Sequence, residues 1–244
     1  MNVFWLYWLN YKANAEAYCD VHVRKIALEI AQMLFAAHHV REGGVSQEIE
    51  KQVDKVYRLA HKNHPLTIWI RSNILHYIQA AKQGMALCKE HTARYGTVLK
   101  VEKAIRVLLD NPPPPNETFD TVQSVPPQCI GKERERIDTG NPEKDLIQAY
   151  RMLYYEEKST QNWFKYGKIP SRVPQFLIDL GYDNDAQLKK KIVSSSTGKK
   201  KTKRKKEVET KNLPQTRSEE SLKEHKRSPK RIRKSGKEKS LNKQ

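Results

Sequence analysis

The sequence predicts an all-α fold: a single compact multi-helix domain followed by a disordered, basic C-terminal tail. Three observations carry that reading. Apolar residues recur at helical spacing over long stretches. Prolines and most glycines bracket those stretches. Neither an internal repeat nor the strand–helix alternation of a parallel sheet is present. Residues 1–170 are expected to hold the helical domain, 171–193 a transition segment and 194–244 the tail.

The elements follow in chain order. Residues 3–9 are apolar and rich in Val, Phe, Trp and Tyr, but far too short to span a bilayer. They lack a basic leader, so they read as an extended segment or a first turn packed on the core and not as a signal peptide. A first long helix is predicted from Asn14, its N-cap, to about Val40, with Val23, Ile26, Ala27, Ile30, Leu34 and Ala37 as its stripe. A more polar helix covers 46–60, turning Ile49, Val53, Val56 and Tyr57 inward. Pro65 opens a third helix, since the N–H it lacks would be orphaned there. That helix runs through Ile70, Ile74, Tyr77, Ile78, Ala81, Met85 and Cys88 to Tyr95, and Gly96 stops it. A fourth spans 98–109. Prolines 112–115 then start an ordered surface crossing, because Phe119, Val122, Val125 and Ile130 need cover. Pro142 opens the last firm helix, with Leu146, Ile147, Tyr150, Leu153 and Tyr154 inward and Trp163-Phe164 at its end. Residues 173–192 add a weak amphipathic helix.

Charge divides the chain sharply. Of the net +18, residues 189–244 supply 22 Lys+Arg against 6 Asp+Glu, or +16, leaving +2 for the other 188 residues. Residues 194–244 contain no aromatic residue and cannot offset their ordering entropy by burial. Such a tail binds phosphate backbones with an affinity that salt removes. Its clusters at 199–206 (KKKTKRKK) and 228–234 (SPKRIRK) also read as nuclear-import patches. The expected compartment is therefore nuclear in a eukaryotic cell, otherwise cytoplasmic, and not secreted. The expected partners are DNA and the import machinery, with no membrane. Cys19, Cys88 and Cys129 are odd in number and far apart, which supports neither a disulfide framework nor a zinc knuckle.

Chemistry concentrates on the first helix. Asp20-Val21-His22 is followed by Glu29, and seven residues are nearly two turns, so His22 and Glu29 share a face with Lys25 between them. That face lies at the margin of the apolar stripe, where a carboxylate can work as an acid–base group. The plainer reading is a solvated charged face. His38-His39, His61, His64 and His76 show no spaced acid–histidine pattern, so no metal site and no cofactor is expected. Trp69, Tyr77 and Tyr154 fit a core better than a stacking platform. Asn63 and His64, before Pro65, suit either a helix cap or a phosphate contact.

Asp-x-His-x6-Glu on the first helix, close to the N-terminus, resembles the pyrimidine-dimer DNA glycosylases of the phage endonuclease V type. His61-Lys62-Asn63-His64-Pro65 is similar to the Asn-His-Pro turn of bacterial relatives. Glu90, Arg94, Tyr95 and Gly96 resemble their acidic residue before an arginine–glycine turn. The likeness covers roughly residues 1–100. It implies an enzyme that cleaves the glycosidic bond of a damaged pyrimidine in duplex DNA and then the strand. An N-terminal amine, that of Met1 or Asn2, would form a Schiff base. The resemblance makes Glu29 the carboxylate at the sugar cation and puts His22 near the kinked DNA. Lys25, Lys62, Asn63, His64 and Arg94 become candidates for substrate contact. Unlike that family, Leu28 precedes Glu29 and Gln32 follows it, where arginines are expected. A non-enzymatic helical nucleic-acid-binding module is the alternative, and a metal-dependent nuclease the third reading.

Overall fold

The computed structural model describes residues 2–115, 117–118, 122–169 and 172–186. Among these the secondary structure is helical, without strands, as the periodicity predicts. In order come α1 (Tyr11–Glu16), α2 (Asp20–Arg41), α3 (Gln47–Gln52), α4 (Pro65–Ser72), α5 (Ile74–Tyr95), α6 (Val101–Asp110), α7 (Pro142–Leu153) and α8 (Gln175–Asp179). A π-helical turn, Tyr154–Lys158, continues α7. No described helix is long and apolar enough to cross a membrane. The import clusters and the tail lie outside the described residues.

The core forms where α2 and α5 cross, with α4 and α6 packed against them. Gly84 of α5 sits at that crossing. A Cβ there would lie 3.0 Å from Ile30 Cγ2 and 3.1 Å from Ile105 Cδ1, so its missing side chain lets three helices approach. Ile30, Leu34, Phe35, Ile70, Tyr77, Leu87 and Ile105 are fully buried around it.

The N-terminal segment runs extended into this core without a strand partner. Val3, Phe4, Trp5 and Leu6 are buried. Backbone groups so placed need hydrogen bonds, and side chains provide them. Tyr18 Oη accepts from Phe4 N–H at 2.7 Å and donates to the Phe4 carbonyl at 2.6 Å. Asn14 Oδ1 accepts from both Leu6 N–H (2.7 Å) and Tyr7 N–H (3.0 Å). This duty corrects the role expected for Asn14. Asn10 is the N-cap of α1, and Asn14 is buried inside it.

The expected first helix is therefore two, parted at Ala17-Tyr18-Cys19, where Tyr166 Oη donates to the Ala17 carbonyl at 2.6 Å. The expected third helix is also two. Asn73, extended, turns its Oδ1 to Leu75 N–H at 2.8 Å and restarts the chain as α5. The second helix is capped by Ser46 as expected but ends at Gln52. The crossing from 111 to 141 is held as predicted at Ile130, which is buried, but Val122 is 87% exposed. Past 170 the chain still packs: Leu177 is buried, and the Tyr182 ring lies edge-on to Phe164 at 5.4 Å. The helical domain thus extends beyond its expected end.

Candidate functional site

The extended N-terminal segment ends on α2. Asn2 N–H donates to Glu29 Oε2 at 2.6 Å, and the Glu29 side chain is only 13% exposed. The Asn2 side chain is clamped: its Nδ2 donates to the Cys129 carbonyl at 2.7 Å, and its Oδ1 accepts from Tyr150 Oη at 3.2 Å. The surface crossing and α7 thereby fix the Asn2 nitrogen on the carboxylate. Lys25, one turn before Glu29, holds its Nζ 3.8 Å from Glu29 Oε1. Met1, the other candidate amine, lies outside the described residues.

These groups open into a cavity of about 270 Å³ lined by Asn2, Phe4, His22, Lys25, Ile26, Glu29, Lys158 and Trp163. His22 is buried among aromatic rings, with Phe4 at 4.8 Å and Trp163 at 5.0 Å. Its Nδ1 lies 2.8 Å from Tyr154 Oη, which also accepts from Cys19 N–H at 3.0 Å. Among the described residues His22 Nδ1 is the acceptor within reach of the Tyr154 proton, which assigns the ring's own proton to Nε2. Burial first, then the nearby charges of Lys25 and Lys158, hold His22 down to about 3. It is a neutral hydrogen-bond donor at physiological pH.

The π-helical turn explains how Tyr154 and Lys158 both reach this place. Ser159 N–H bonds the Tyr154 carbonyl at 2.9 Å, one residue wider than an α-turn, and such insertions recur at functional sites. Lys158, Trp163 and Phe4 are site residues that the sequence reading did not single out. Only Trp163 carried a signal, as a large aromatic at the end of a helical stripe, and it is 38% exposed.

Other candidates lie elsewhere. Lys62 and Asn63 are exposed. His64, not Asn63, caps α4, its Nδ1 accepting from Leu66 N–H at 3.2 Å. Burial lowers its pKa, nearby positive charge including His61 lowers it further, and the Glu29 charge opposes them. Arg94 is not brought to the cavity. Its side chain is wholly buried, donating to Glu90 Oε1 (2.7 Å), Asp20 Oδ1 (3.1 Å) and the Glu16 carbonyl (2.9 Å). Every guanidinium nitrogen is engaged, so Arg94 builds the fold.

Asp20 is the other half of that cluster. Its Oδ2 accepts from Gly167 N–H at 2.7 Å and Lys168 N–H at 3.2 Å, and its own N–H donates to the Lys165 carbonyl at 3.0 Å. Asp20 so anchors the segment that carries Trp163, two residues before His22 meets that ring. Among the described residues no group of three His, Cys, Asp or Glu side chains could hold a metal ion. Burial pushes the Cys19 thiol up to about 11 and the Cys88 thiol to about 12, so neither is a ready nucleophile. No protein family, curated protein or solved structure matches the chain.

Proposed function

We propose that the protein is a DNA repair glycosylase with abasic-site lyase activity, acting on damaged pyrimidines in duplex DNA through a Schiff base. The observation that carries this reading is the Asn2 nitrogen held 2.6 Å from a mostly buried carboxylate in a lysine-flanked cavity. With Met1 retained, as the bulk of Asn2 favours, the α-amine is that of Met1, one residue further out; removal of Met1 would make the Asn2 nitrogen the α-amine. Glu29 would accept a proton from it, and the amine would form a bond to C1′ of the sugar. The C1′–N bond would break with its electron pair leaving on the base, which takes up one proton. The C1′–O4′ bond would then open as the amine's lone pair forms C1′=N, with O4′ taking the proton held by Glu29, to give the Schiff base. A carboxylate beside the developing sugar cation stabilises it. Lys25 and Lys158, which now face Glu29 and Glu157, would be the cations at hand for flanking phosphates. The basic tail would add salt-sensitive affinity for undamaged duplex.

Glu29→Gln tests this reading on ultraviolet-irradiated duplex. The nearly isosteric change should leave binding intact and lower cleavage by roughly two to four powers of ten. Full cleavage by Glu29→Gln would place the chemistry elsewhere. No cleavage by the unaltered, untagged protein on irradiated or abasic duplex would favour a non-enzymatic binding module.

A further inference from the structure

From the size and walls of the cavity, and resting on the glycosylase reading above, we infer that the site takes one extruded pyrimidine nucleoside and not two covalently joined bases. A cavity of about 270 Å³ lies just under the ~300–1,000 Å³ usual for small-molecule sites. Two linked bases with their two sugars carry twice the bulk of a single nucleoside. The walls do not give easily. Phe4 is fixed through both its backbone polar groups by Tyr18, and its ring is boxed by Tyr150 at 6.0 Å and Tyr154 at 5.3 Å. The His22 ring is held by Tyr154.

Polarity selects further. His22 lines the cavity with its Nδ1 taken by Tyr154, so Nε2–H is the ring's remaining donor, suited to a carbonyl acceptor beside the glycosidic bond. A pyrimidine offers one there, its O2. A hydrogen bond to that oxygen draws electron density into the leaving base as the C1′–N1 bond breaks. Lys25 and Lys158 line the same cavity, and a phosphate entering there would compete with their present carboxylate partners, Glu29 and Glu157. Extrusion is least costly for a base that stacks poorly, so a ring-saturated pyrimidine is the favoured occupant.

The test uses the untagged full chain on three duplexes of identical sequence. One carries 5,6-dihydrouracil, one a natural abasic site, and one a cis-syn cyclobutane thymine dimer. Single-turnover borohydride trapping should be at least about tenfold faster on dihydrouracil than on the dimer. The abasic duplex should be trapped at least as fast as dihydrouracil, since its sugar needs no base removed. Trp163→Ala, which enlarges the cavity, should narrow the gap between dihydrouracil and dimer. Equal or faster trapping on the dimer overturns the single-nucleoside inference while the glycosylase reading stands. Trapping on the abasic duplex alone also overturns it, leaving a lyase that accommodates no base. Failure on all three overturns both readings together.

Discussion

Glu29 and His22 lie on one face of α2, yet their environments make them opposites. Glu29 is met by a backbone N–H and a lysine. His22 is met by aromatic rings and two lysines, which keep it neutral. This has a measurable consequence. A histidine held near 3 when folded and near its ordinary 6.5 when unfolded binds fewer protons in the native state. Its contribution is complete above about pH 6.5 and is lost as the pH falls toward 3. Burial shifts His38, His64 and His76 the same way, so the whole protein should lose stability over that window. Urea unfolding of His22→Gln should show a shallower loss between pH 7 and 4, by up to roughly 1.4 kcal/mol per pH unit. An unchanged slope would mean that His22 titrates normally. Activity should show no ionisation of His22 near neutrality.

Elements hold these residues in place through buried polar contacts that periodicity does not encode. The apolar stripes of α2, α5, α6 and α7 were legible because helical period and burial coincide there. The breaks at 17–19 and at Asn73 were not. The break at 17–19 is made by hydroxyls from elsewhere, Tyr166 on Ala17 and Tyr154 on Cys19, and the break at Asn73 by that residue's own side chain capping Leu75 against the apolar period. The pairing of His22 with Glu29 was readable from spacing. The arrival of Asn2, Lys158 and Trp163 beside them depends on contacts spanning 27 to 148 residues, which spacing cannot show. Arg94 misled for a related reason: a guanidinium near a helix end looks like a phosphate contact until its carboxylates are found. Asp20→Ala tests the element scale. It removes one of the two carboxylates on the buried Arg94, leaving Glu90, and frees the Gly167 and Lys168 N–H groups, and unpairing a buried polar group costs about 1–3 kcal/mol each. Thermal unfolding should show a large drop. A drop within about 0.5 kcal/mol would contradict the anchoring role.

At the scale of the whole molecule, two parts of the chain are expected to contribute different terms to DNA binding. Residues 189–244 hold +16 of the +18 net charge, whereas the helical part is nearly neutral and carries the cavity. Deleting 189–244 should leave the circular dichroism of the helical domain intact, lower affinity for undamaged duplex and flatten its salt dependence. An unfolded truncation would show that the fold needs those residues. Turnover on a short damaged duplex at low salt should survive the deletion, because the cavity residues remain. The central claim is that the chain's own amino terminus attacks the sugar beside Glu29. The most direct measurement is borohydride trapping on abasic duplex followed by mass spectrometry of the joined peptide. A covalent sugar remnant on the chain's α-nitrogen, that of a retained Met1 or of Asn2, absent when an added tag precedes Met1, is the predicted result. A remnant on Lys25, or trapping undiminished by the tag, would contradict it.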